Sequence, residues 1–174
     1  MIPPTREAAM QLLDDVGAPL RLRRHAELVG EAADALLSAF QRLNLQLDVD
    51  FVRVGVVLHD VGKTIHISEL ESSGHSHESA GELMLLERRV SPEVARVCRS
   101  HAQLTDVAQT FEELVIALAD KLWKGARVTE LENRVIDSVA VSLGVDRWQV
   151  FTELDGAFEE VAATADSRLL RSVV

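Results

Sequence analysis

Residues 56–63 read VVLHDVGK, Val56 through Lys63. Two valines and a leucine carry the chain to His59 and Asp60, side by side, and Gly62 and Lys63 follow at once. An apolar segment that ends in an imidazole, a carboxylate and an ammonium aims polar groups at the edge of its own core. A carboxylate taken out of water without a partner is costly and takes up a proton instead. The reading of this stretch depends on what the rest of the chain can bring to it.

Helical periodicity dominates the surroundings. Asp48 is placed to cap a helix running from about Val49 to His59. Upstream, Pro3 and Pro4 precede a helical pattern that ends at Gly17. A long helix then carries the stripe Leu22, Ala26, Val29, Ala33, Leu36, Phe40 and Leu43, spaced by fours and threes. Downstream, "GKTIHISELESSG" reads as a loop, and Ser76 is placed to cap "HESAGELMLLERR". Ser91-Pro92 opens "PEVARVCRSHA", with proline early in the helix. Thr110 and Glu113 have the spacing of a capping box ahead of "TFEELVIALADKLWKGA". Two further helical patterns follow, "TELENRVIDSVAVSLG" and "DRWQVFTELDGAFEEVAATA". The expectation is an all-α bundle of about seven to eight helices, folded as a single domain over residues 1–174.

Composition narrows the function. Net charge is −10, from 28 acidic and 18 basic residues, which disfavours duplex nucleic acid as a partner because that binding relies on Lys and Arg neutralising phosphates. Tyrosine is absent and aromatics make up 4% of the chain, too few for a stacking platform on single strands. No apolar run approaches the ~18 residues of a membrane span. The N-terminal stretch lacks the basic and apolar regions of a signal peptide, so a cytoplasmic location is expected. Cys98 is the one cysteine; it forms no internal disulfide and reads as a small core residue.

Six ionisable residues fall on inward faces of five helical segments. His25 lies between Leu22 and Val29 on its stripe; His59 and Asp60 follow Val56 by three and four. His77 shares a face with Ala80, Gly81 and Met84, and His101 shares one with Val94, Val97 and Cys98. Asp120 follows Ile116 by four. Singly, each is an ordinary core or capping residue. Together, four imidazoles and two carboxylates are a ligand set for divalent metal, whose charge offsets the cost of burying the aspartates. His66, in the loop, reads as exposed or facing a substrate. His75, two residues from His77, points elsewhere on a helix and reads as a bystander or a partner of a ligand.

The order of these residues resembles that of the HD-domain superfamily. "RRHAELVGEAADAL" resembles its first metal helix, "GVVLHDVGK" its namesake motif, "HESAGELML" its H-x-x-x-G segment, "VARVCRSHA" the helix with the fourth histidine, and "ALADKLWKGAR" the closing aspartate helix. The resemblance covers about residues 20–127 and is to the two-metal branch. It implies a helical bundle with Asp60 bridging two divalent ions, iron or manganese foremost. His25, His59 and Asp120 would complete one position, and His77 with His101 the other. It also implies a phosphohydrolase acting on a phosphate ester or phosphoanhydride. Asp60 and Lys63 would be catalytic, with Lys63 contacting phosphate. Arg24, Lys121, Lys124 and Arg127 could add a positive rim for substrate in this acidic chain. "ADKLWKGAR" further resembles a segment of bacterial HD hydrolases that split diadenosine tetraphosphate, which favours a nucleotide. Two other classes share the ligand order: di-iron oxygenases acting on polyols or phosphonates, and non-catalytic HD modules that bind a ligand. The C-terminal region 128–174, with Trp148, Phe151 and Phe158, either packs on the core or forms a homodimer face.

Overall fold

The computed structural model describes residues 5–102 and 108–173. Pro3 and Pro4, expected ahead of the first helix, lie outside the described residues. Among those described, the chain is helical without strands. The α-helices are α1 (Arg6–Asp15), α2 (Leu20–Arg42), α3 (Val49–Leu58), α4 (Ser76–Glu87), α5 (Pro92–Ser100), α6 (Phe111–Leu122), α7 (Thr129–Leu143), α8 (Arg147–Ala163) and α9 (Ala165–Ser172). The last two are separated by Thr164 alone. The all-α bundle expected from periodicity is the fold.

The capping residues act largely as their positions suggest. Asp48 accepts from the Phe51 N–H at the start of α3, and Ser91 accepts from Val94 N–H with Pro92 opening α5. The Thr110–Glu113 capping box is formed in both directions. Ser76 is different. It is the first residue of α4, not its cap, and His75 ahead of it makes no capping bond. The cap comes from Glu69, seven residues upstream, whose carboxylate accepts the N–H groups of Ser76 and His77. The segment read as a loop between α3 and α4 carries two short 3-10 turns, Val61–Thr64 and Ile67–Leu70.

Two apolar clusters share α2 and α3. One joins them to α6, α7 and α8 through residues such as Phe40, Val56, Ile116, Val135 and Phe158. The other joins them to α1, α4 and α5 through Leu13, Leu58, Leu85 and Val94. Six of the ten residues of α3 are buried, so α3 is the axis on which both halves pack. In the C-terminal region, Val150, Leu154, Phe158 and Val161 of α8 lie in the first cluster, while Trp148 is 70% exposed. The short α9, absent from the sequence reading, is tied down by arginines. The buried Arg168 donates to the carbonyls of Trp123, Leu122 and Val161, and Arg171 forks onto Glu31 of α2. Arg168 thereby satisfies carbonyls at the end of α6 that have no partner within the helix.

Two close approaches bring the ligand helices onto α3. A Cβ built on Gly55 would lie 2.3 Å from Cδ1 of Ile116, so the Ile116 side chain of α6 packs directly onto the α3 backbone at Gly55 and would have to shift for a larger residue there. One turn further along each helix stand His59 and Asp120. Likewise, a Cβ on Gly62 would lie 1.9 Å from the His77 carbonyl oxygen, and one on Gly81 would lie 3.0 Å from the Gly62 nitrogen. The turn after Asp60 therefore rests directly on the backbone of α4, which carries His77 to the carboxylate.

Candidate metal centre

The six residues singled out from sequence converge at the C-terminal end of α3. His59, Asp60, His77, His101 and Asp120 are buried, and His25 is partly so. The two oxygens of Asp60 face different partners. Oδ2 lies 3.3 Å from His25 Nε2 and 3.6 Å from His59 Nε2. Asp120 Oδ1 stands on the same side, 3.6 Å from His25 Nε2 and 3.5 Å from His59 Nε2. Oδ1 of Asp60 faces the other way, 3.1 Å from His77 Nε2 and 3.7 Å from His101 Nε2. Ligand atoms of His25, His59 and Asp120 all fall within 4.8 Å of one another, as do those of His59, Asp60 and His101.

The hydrogen bonds on the far edges of the rings say what these near edges can do. His59 Nδ1 meets the Val56 carbonyl at 2.9 Å, and His101 Nδ1 meets the Val97 carbonyl at 3.0 Å. A carbonyl only accepts, so each Nδ1 carries the proton and each neutral ring turns an Nε2 lone pair inward. His25 Nε2 lies 3.2 Å from His59 Nε2. Lone pairs thus converge on carboxylate oxygens, an arrangement that only cations or added protons relieve. Asp60 Oδ1 is buried and accepts no hydrogen bond. An orphaned carboxylate oxygen between two imidazoles fits a divalent ion, and nitrogen-plus-carboxylate sets suit iron, manganese or zinc.

The same crowding shifts the protonation of these groups. Burial alone would raise Asp60, yet the imidazoles of His59, His25 and His77 hold it well below the usual carboxylate range. Burial resists a proton on His59 and on His77, but the facing carboxylates prevail and draw both rings upward. His101 goes the other way, down to about 4, because burial and the neighbouring His59 outweigh the more distant carboxylates. Cys98 lies beneath the cluster, its thiol reaching the Leu58 carbonyl at 3.4 Å; burial pushes its ionisation far up, and it is an inert core residue.

His25, Asp60, His77, His101 and Asp120 form the floor of a cleft of about 610 Å³, and the buried His59 does not line it. Lys63 and Lys121 reach in from its walls, with Lys63 Nζ 2.6 Å from Asp60 Oδ2 and Lys121 Nζ 2.8 Å from Asp120 Oδ2. Lys124 lines the mouth. Two arginines expected there are elsewhere. Arg24 pairs with Glu27 on its own helix, and Arg127 is held by Glu132, Asp155 and Glu159; neither lines the cleft. Arg21, one turn before His25, lines it instead and reaches Glu71 at 3.3 Å. Arg21 stands four residues before His25 and shares its face of α2, whereas Arg24 is the immediate neighbour of His25 and turns about 100° away; that spacing in "RLRRH" is the signal that separates the two arginines. His75 lines the mouth, its side chain 86% exposed, with Nδ1 bonded to Glu78 at 2.6 Å rather than aimed at the cluster. His66 is partly buried and lines no part of the cleft. Trp123, missed in sequence, packs edge-on against His25 with ring centroids 5.1 Å apart. No described helix is long and apolar enough to cross a membrane.

The family profile described as HD domain matches residues 20–123, more than half of the chain. A tRNA (cytidine(56)-2'-O)-methyltransferase of Thermoplasma volcanium is 25% identical over 150 residues, covering 78% of this chain and 41% of that protein. The chain therefore spans less than half the length of that curated relative. No solved structure matches.

Proposed function

The chain belongs to the HD-domain family, and from that premise we propose that it is a metal-dependent phosphohydrolase acting on a phosphorylated small molecule, a nucleotide or dinucleoside polyphosphate foremost. One observation carries the reading: Asp60 turns its two oxygens to two separate ligand groups on the floor of a cleft into which lysines project. His25, His59, Asp120 and Asp60 Oδ2 would hold one divalent ion, and His77, His101 and Asp60 Oδ1 the other. When bound, such ions supply Lewis-acid charge to phosphoryl oxygens and lower the pKa of water.

The chain's own residues do the rest. Lys63 and Lys121 each spend one N–H on an aspartate and keep others for an anion, since an ammonium carries three donors. They would orient the phosphoryl group over the floor. Lys124 and Arg21 at the mouth suit further phosphates of an extended substrate. The net charge of −10 favours a small ligand over a polyanionic macromolecule, so the RNA named for the methyltransferase relative is not carried over. That relative's name applies to a protein of which this chain spans 41%.

The test is an anaerobic panel of mononucleotides, cyclic nucleotides and dinucleoside polyphosphates, with protein reconstituted in manganese or ferrous iron. Phosphate or nucleotide release that chelator abolishes is expected. No turnover there, together with oxygen consumption on a polyol or phosphonate, would overturn the reading in favour of an oxygenase.

A further inference from the structure

Glu69 joins the cleft wall to a ligand of the centre, and the mechanism above gives it no task. It sits in the 3-10 turn Ile67–Leu70, in the segment that lines the cleft with Leu70, Ser73 and Gly74. Its Oε2 meets the His77 ring at Nδ1, 2.5 Å away, and accepts the His77 backbone N–H at 3.1 Å. Its Oε1 accepts the Ser76 N–H at 3.1 Å. Three interactions on one side chain fix both the start of α4 and the far edge of the His77 ring. The wall makes room for the carboxylate: a Cβ on Gly74 would lie 2.5 Å from Glu69 Oε1.

A neutral imidazole has one proton to place. Without Glu69, Nε2 is the favoured position, because Asp60 Oδ1 lies 3.1 Å away and has no hydrogen-bond partner. A proton there occupies the nitrogen that faces the second ligand group. A carboxylate at 2.5 Å from Nδ1 reverses the preference, since a charge-assisted bond outweighs a longer one. His59 and His101 have backbone carbonyls for this purpose; His77 alone of these three depends on a side chain from another segment.

We propose that Glu69 is the positioning residue of the second metal position: it keeps the proton of His77 on Nδ1 and leaves Nε2 free to ligate beside Asp60 Oδ1 and His101. The inference rests on reading the cluster as a metal centre. It makes that second position depend on the cleft-lining segment 67–75, while the position built from His25, His59 and Asp120 is independent of it. An outer carboxylate bonded to a ligating histidine affects affinity by about 10- to 100-fold.

The experiment uses the full chain stripped of metal, as wild type, Glu69→Ala, Glu69→Gln and Gly74→Ala. Manganese binding is measured by calorimetry. The His77 tautomer is read from long-range nitrogen–proton NMR at alkaline pH, where the ring is neutral. Glu69→Ala should weaken one of two manganese events by about 10- to 100-fold, spare the other, and move the His77 proton to Nε2. Gly74→Ala displaces the carboxylate without removing it and should act in the same direction. Glu69→Gln keeps one acceptor oxygen and should fall between. Unchanged tautomer and unchanged manganese affinities in Glu69→Ala overturn the proposal. So does an equal weakening of both events with lost helicity, which leaves Glu69 as a helix cap only. Wild-type protein that never binds more than trace manganese overturns the metal centre itself, a result distinct from any difference between variants.

Discussion

Gly62 rests on the backbone of His77, so closely that a methyl group on Gly62 would meet the His77 carbonyl oxygen at 1.9 Å. The neighbour is backbone and cannot rotate away. Gly62→Ala should therefore cost about 3 kcal/mol or more, at the upper end of overpacking penalties. It should also push α4 outward and with it the second ligand group. Gly156 is the control. It lies inside α8 with nothing within 4 Å of an added Cβ, so Gly156→Ala should stabilise by about 0.5–1 kcal/mol. Urea denaturation of the metal-free proteins measures both. A neutral Gly62→Ala would contradict the packing described.

Asp60→Asn preserves size while removing the charge that serves both ligand groups. Loss of both metals and of nearly all turnover is expected, with the helical circular dichroism retained. Asp120→Asn should impair mainly the position shared with His25 and His59. Elemental analysis after reconstitution decides: an Asp60→Asn protein that keeps two metals is incompatible with a bridging carboxylate.

His75 and His77 are two residues apart and face different groups. His75 bonds Glu78 at the mouth, and His77 faces Asp60. His75→Ala should keep both metals, whereas His77→Ala should lose mainly one. Equal metal loss in the two variants would make His75 a ligand.

Protons and metals compete at the same nitrogens. Burial opposes a proton on His59 and His77, but facing carboxylates raise both rings above the ordinary 6.5. A raised folded value stabilises the fold below the unfolded value and is lost as pH climbs through the folded one. His101, lowered to about 4, works oppositely: its contribution is present above 6.5 and is lost as pH falls toward 4. The contribution of these rings to metal-free stability should therefore peak near about pH 6.5. Metal binding needs neutral rings and releases their protons, so affinity should rise through and beyond that range. Thermal melts across pH, with chelator and with manganese, check the two opposite trends above pH 6.5. Parallel trends would contradict this proton–metal competition.

Much of the molecule was legible in the chain because helical periodicity is local. The stripe from Leu22 to Phe40 and the six inward polar residues follow from spacings of three and four, and the ordered motif pointed to the HD-domain family that the profile match establishes. Such spacing assigns a face of a helix, not the partner across from it. That limit explains Ser76, the nearest cap by sequence, where a carboxylate seven residues upstream does the capping and holds His77 as well. It also explains Arg168, whose three carbonyl partners are Leu122 at the end of α6, Trp123 just past it and Val161 on α8. The separate orientation of the two Asp60 oxygens belongs to the same class. It depends on interhelical distances set where Gly55 meets Ile116 and Gly62 meets His77, and those distances exist only once the helices have packed.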